Sequence, residues 1–149
     1  MKALAAAACL LAAVTTIAPT ASAHHAFAAE FDANVPVLLR GKVVRIEWIN
    51  PHAWVHIEIE EKGKKEVWAV EGGTPNTLLR NGINRETLKI GTEIVVRGYR
   101  SKDPGCTPTC KANGRDMTFP NGQKVFFGSS GTGAPRDGSD PTEPPLKKQ

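Results

Sequence analysis

The sequence predicts an all-β domain with one short helix, arranged as an OB-like five-stranded barrel. Between Val35 and Phe127, apolar and polar residues alternate over short runs, as in strands that bury one face. The alternation breaks once, after Gly72-Gly73, leaving room for a single short helix between the third and fourth strands. The long first strand is interrupted by Gly41, as expected of a strand that bends strongly or carries a bulge. This order of elements is that of an OB-type barrel. A small open sheet packed on one helix is the competing architecture.

The elements follow in chain order. VPVLLRGKVVRIEWIN is rich in branched residues and forms the first strand, with Val44, Ile46 and Trp48 sharing one alternation and expected in the core. Asn50-Pro51 breaks it. In HAWVHIEIEE, residues Ala53, Val55 and Ile57 point inward, while His52, Trp54, His56, Glu58 and Glu60 point outward. A turn at Gly63 leads into KEVWAVEG, the third strand. Thr74 is the expected N-cap and Pro75 the first residue of the helix, with Leu78 and Leu79 as its apolar face and Gly82 as its stop. LKIGTEIVVRGYR restores a strand with Ile94 and Val96 inward. The loop SKDPGCTPTCKANG follows, then GRDMTF, and Pro120 to Gly122 turns the chain into QKVFFG.

The two ends differ from this middle. Residues 1–23 read as a secretion signal, with a positive start at Met1-Lys2, an apolar run containing Cys9, and a small-residue exit at Ala21-Ser22-Ala23. That run is too short for a permanent membrane span. Residues 24–34 form an amino-terminal arm, residues 35–127 the β domain, and residues 128–149, rich in Gly and Pro and almost devoid of apolar side chains, a disordered tail. Removing Lys2 with the signal leaves 18 basic against 15 acidic residues, so the net charge is about +3 and interspersed, which is no nucleic-acid footprint. Export into oxidising surroundings makes Cys106 and Cys110 a disulfide. The expected address is the periplasm or the medium.

The blocks AHHAFAAEFD, GKVVRIEWINPHAW, NTLLRNGI and LKIGTEIVVRGYR resemble a family of small exported bacterial proteins of unknown function. The likeness covers most of the mature domain, with EWINPHAW its most specific part. It implies export and a small β-rich fold and says nothing of mechanism.

The chemistry must come from the residues. Cleavage after Ala23 would make His24 the first residue, offering its α-amine and imidazole to one metal ion. A further imidazole from His25, His52 or His56 would complete a nitrogen set that favours copper. The other reading is a tolerated polar residue on a mobile terminus. Four residues apart on one strand, His52 and His56 have Cα atoms about 13 Å apart, so only one of them can join such a site. Strand pairing brings the arm nearer His56, giving His24, His25 and His56 as the expected metal set. His52, Trp54 and Trp68 form the expected ligand face, with Trp54 either stacking a ligand or lying under Phe27 and Phe31 of the arm. No nucleophile elbow, phosphate loop or zinc-protease motif is present, and Glu58, Glu60 and Glu61 read as a solvated face, so no catalytic residue is expected. Two functions stay open: an exported accessory domain binding a small ligand or metal ion, copper first, or an interaction module that presents its β face to an envelope protein.

Overall fold

The computed structural model describes residues 23–129. The expected signal up to Ser22, with Cys9, and the tail from residue 130 onward lie outside the described residues. The elements are α1 (Ala23–Glu30), β1 (Phe31–Glu47), β2 (Trp54–Glu61), β3 (Lys64–Glu71), α2 (Pro75–Arg80), β4 (Glu93–Ser101), β5 (Cys110–Thr118) and β6 (Lys124–Phe126). Hydrogen bonding runs β3-β2-β1-β4-β5-β6, and β3 also pairs with β5 in parallel. That pairing closes five strands into an OB-like barrel, with β6 added outside β5, and excludes the open sheet.

The inward residues are those that the alternation selects. Ala53, just before β2, Val55 and Ile57 of β2 and Val96 of β4 are fully buried, and Ile94 nearly so. They meet Leu39, Val43, Val70, Ala112, Met117 and Phe127 in one core. Burial of this apolar surface, at about 25 cal/mol per Å², is the main favourable contribution to folding. In α2 the cap is as expected: Thr74 Oγ1 accepts from Thr77 N at 3.1 Å, and Pro75 opens the helix. Only Leu78 reaches the core, since Leu79, one residue on, is 59% exposed on the other side.

The first strand departs from simple alternation. Val43 pairs with Ile57 and Arg45 with His56, so Val44 is an extra residue in a β-bulge. The bulge resets the inward set from Val43 to Ile46 and Trp48, which pack on the core, and leaves Val44 exposed instead of buried as expected. Gly41 has a different task. A Cβ there would run into the Glu58 carbonyl oxygen and come within 2.9 Å of Ile57 Cγ2, so glycine is what lets β1 lie so close to β2.

The expected arm is ordered in two pieces. Its first part is a second helix, α1, and its remainder belongs to β1, which starts at Phe31 rather than Val35. AHHAFAAE is rich in alanine, but eight residues are too few for a stable isolated helix. Packing holds it. Phe27 meets Phe31 at 5.8 Å between ring centroids and stands edge-on to Tyr99 at 5.7 Å, a separate cluster on the outer surface of the barrel. The end of α1 is tied to β4: Lys102 N donates to Glu30 O at 2.9 Å, and Lys102 Nζ to Ala28 O at 2.6 Å.

These features separate two neighbouring substitutions. Gly41→Ala should lower stability by about 1–3 kcal/mol, through forced backbone displacement. Val44→Thr, at the exposed bulge residue, should stay within about 0.5 kcal/mol of the parent in the same urea unfolding measurement.

Candidate functional site

Register places one row of side chains across the outside of the barrel. Glu47 pairs with Trp54, Trp54 with Glu71, Glu71 with Asn113, and Asn113 with Tyr99. Paired residues share a face, so this row faces away from the core. Glu71, Asn113 and Tyr99 are nevertheless buried, at 7%, 2% and 0% exposure, while Trp54 and Glu47 are half-buried. Packing by Phe27 of α1 helps bury the Tyr99 end of the row.

A hydrogen-bonded relay enters this buried row from the β1–β2 loop. His52 Nδ1 lies 2.9 Å from Glu71 Oε1, and Asn113 Nδ2 donates to the same oxygen at 3.2 Å. Burial holds the Glu71 carboxyl above its usual range, and the charge of Glu30 adds to this, whereas His52 and the Asn113 bond pull the other way. With its proton on Nδ1, His52 leaves Nε2 with a lone pair and no hydrogen bond among the described residues. The Asn113 Oδ1 is buried and accepts no hydrogen bond among those residues either.

The second histidine is held differently. His56 Nε2 lies 2.7 Å from Glu47 Oε1, and Arg45 reaches the same oxygen at 3.2 Å. The His56 side chain is 13% exposed against 31% for His52, and it has a guanidinium as neighbour. The backbone of His24 and His25 lies in α1, while their side chains are outside the described part. Phe27 and Phe31 cluster with Tyr99, at the other end of the row from Trp54, which is not part of that cluster. Trp68 faces the interior at 6% exposure, so the outer face keeps His52 and Trp54 without it.

Cys106 and Cys110 form the expected disulfide, at the opposite end of β3 from His52. The β1–β2 and β4–β5 loops therefore bracket the face from its two ends and do not meet. Among the described residues, the only three-donor group close enough for one metal ion is Glu66, Cys106 and Cys110, whose sulfurs are bonded to each other. Glu58 is paired with Lys65 at 2.8 Å, and Glu60 and Glu61 are exposed on the same strand, in keeping with a solvated face. A further buried ionic group escaped the sequence reading: Arg97 Nε donates to Asp116 Oδ1 at 2.9 Å, and Arg115 joins Asp116 Oδ2 to the Tyr99 hydroxyl. No helix among the described residues is long and apolar enough to cross a membrane.

A model of a family of unknown function, DUF6152, matches residues 11–109, well over half of the chain. The chain belongs to that family. Its match runs from before α1 through β4 and stops one residue short of Cys110, so the DUF6152 stretch contains His52, His56 and Glu71, while Asn113 lies beyond it. No curated protein matches this DUF6152 chain.

Glu71 gives the site a pH signature. Because the folded protein holds the Glu71 proton more tightly than the unfolded chain, stability contributed by the protonated carboxyl is lost as pH rises above about 4.5, through the raised folded value. Glu71→Gln should remove that loss. Its stability relative to the parent should rise with pH across this window and then level off, as read from thermal unfolding at stepped pH.

Proposed function

We propose that the protein is an exported accessory domain of the bacterial envelope, binding a metal ion or small ligand on the outside of its barrel, with copper(II) the ion its nitrogen donors suit. The observation that carries this is His52, whose Nδ1 is fixed by a buried carboxylate that is itself held by Asn113. A carboxylate behind a histidine sets its tautomer, raises its basicity and fixes the direction of the other nitrogen, as in metal-binding histidines. Among the described residues, that other nitrogen has no competing partner.

His52 is thereby a better barrel-side partner for the histidines of α1 than His56, whose ring is less exposed and stands beside Arg45. The arm is packed against the same outer row at Tyr99, and the charge of Glu30 is felt at Glu71. One histidine of the barrel and the freed amine and imidazole of His24 would make a copper-favouring nitrogen set, with His25 as the alternative arm donor. Trp54, half-buried beside Glu71, is the aromatic that a small organic ligand would stack on. Residues 1–23 support export, and the disulfide agrees with an oxidising compartment.

The envelope-interaction reading draws on a different place. A groove of about 590 Å³ lined by Trp48, Leu79, Ile83 and Arg85 adjoins the β1–β2 loop, where Ile49 is 50% exposed. A partner crosslinked to this groove, in the absence of any metal affinity, would favour it.

Copper(II) titration of the correctly processed protein, by calorimetry and electron paramagnetic resonance, decides the first reading. Glu71→Gln should weaken binding about ten-fold, as loss of an outer-shell partner does. His52→Ala should weaken it further and remove one nitrogen from the spectrum, while His56→Ala leaves both unchanged. Affinity indifferent to His52→Ala sinks the proposal, as does an exported chain that begins at Ala26 or later.

A further inference from the structure

The disulfide end of β3 carries chemistry that the outer face does not use. Cys110 is buried at 1% exposure, while Cys106 is half-exposed at the edge of the β4–β5 loop. Arg100 of β4 places its Nη2 3.6 Å from Cys106 Sγ and lies over the Trp68 ring at 5.6 Å. Glu66 of β3 has Oε1 2.9 Å from Cys110 Sγ, and its other oxygen accepts from Trp68 Nε1 at 2.9 Å.

These neighbours match a reduced pair better than an oxidised one. A disulfide has no proton for Glu66 to accept and no negative charge for Arg100 to balance. After reduction, a Cys106 thiolate faces the guanidinium, and a Cys110 thiol donates to the Glu66 carboxylate. Each sulfur thus has the partner suited to its own protonation state. The same guanidinium makes Glu66, Cys106 and Cys110 a poor cradle for a metal ion, because a cation already stands beside one of the donors.

The surroundings also indicate what approaches. Cys106 lies on a groove of about 680 Å³ bordered by Lys62 of the β2–β3 turn, Lys64 and Lys65 of β3, and Glu61 and Glu66. Lys65 is engaged by Glu58. Lys62 and Lys64 offset Glu61 and Glu66 around the groove, which leaves Arg100 as the excess cation beside the sulfur. Asp103 of the β4–β5 loop is bonded to the Gly105 amide at 2.9 Å and does not line the groove. A cation placed at the attacked sulfur suits a thiol that carries carboxylates.

We propose that Cys106–Cys110 is a thiol–disulfide exchange site for small anionic thiols, with Cys106 the sulfur attacked and Cys110 the sulfur released. The thiolate of the incoming molecule attacks Cys106 Sγ, the Cys106–Cys110 bond breaks, and a mixed disulfide forms at Cys106. Cys110 leaves with the electron pair, takes a proton from solvent and, as a thiol, donates a hydrogen bond to Glu66. A second thiolate attacks the outer sulfur of the mixed disulfide and frees Cys106 as a thiolate facing Arg100. Two thiols are oxidised to one disulfide, and the protein disulfide is reduced to two cysteines.

The test uses the full exported chain in glutathione buffers, with thiols counted by alkylation and mass spectrometry. The folded protein should be reduced by millimolar glutathione, and Cys110→Ser should retain glutathione on Cys106, whereas Cys106→Ser retains none on Cys110. In the reduced chain at pH 7, alkylation of Cys106 should be about ten-fold slower in Arg100→Met than in the parent, and the two rates should converge at a pH where every thiol is ionised. The ratio of the glutathione rate to that of uncharged mercaptoethanol should fall as salt is raised, because screening removes the attraction of the carboxylates. A disulfide that resists glutathione in the folded chain, or Cys106 alkylation indifferent to Arg100→Met, overturns the proposal. The Arg100 comparison does not require either cysteine variant to fold.

Discussion

Four register pairs between β3 and β5, from Trp68 opposite Cys110 to Glu71 opposite Asn113, turn a curved sheet into a closed barrel. Parallel neighbours need a long connection, and here it passes through α2 and β4. The pairing removes two edges that would otherwise offer unpaired backbone groups. It also fixes what stands beside what. Residues two apart along β3 share a face, so Trp68 and Val70 enter the core while Glu71 is turned outward against Asn113. Without that contact, Glu71 would lose the amide that steadies it, and Trp68 would lose the strand that carries Cys110.

The sequence made the barrel legible because most of its strands bury only one face. Ala53, Val55 and Ile57 could be assigned inward from alternation alone, and Thr74-Pro75 announced the helix start through capping chemistry that depends only on neighbours. Val44 could not be assigned, because a bulge shifts the alternation by one residue and leaves no local mark in a run of branched residues. The helix in the arm was not legible for a related reason: AHHAFAAE is too short to stand alone and is held by Phe27 against Tyr99, a residue 72 positions away. The site was half legible. His52 and Trp54 stood out as rare residues on an outward face, but Glu71 looked like an ordinary polar residue at a strand end, and Asn113 falls in SKDPGCTPTCKANG, which reads as a loop although β5 already begins at Cys110. Only cross-strand register, which no single segment contains, reveals that they touch. Arg97 and Asp116 were hidden in the same way.

The two ends of β3 present different chemistry on opposite sides of one strand. At the Glu71 end, a carboxylate is retained in a buried position by an imidazole and an amide, an arrangement that holds a proton and directs a nitrogen. At the Glu66 end, a carboxylate and a guanidinium frame two sulfurs. About 16 Å of strand separates them, too far for a shared ligand, so the barrel can carry two independent polar sites. Their separation also explains why Trp68 belongs to the sulfur end and Trp54 to the histidine end, although both belong to neighbouring strands.

The seating of α1 has a practical consequence. Tyr99 is wholly covered, and the aromatic contacts to it come from Phe27 and Phe31. A truncation that begins at Val35, where the strand pattern suggests a natural boundary, would strip both rings away and expose an adhesive aromatic spot beside the unpaired start of β1. Such a shortened protein would be prone to self-association for reasons unrelated to its core. An affinity tag fused directly ahead of Phe27 would crowd the same seat, so a tag at the carboxyl end is the gentler choice for handling this molecule.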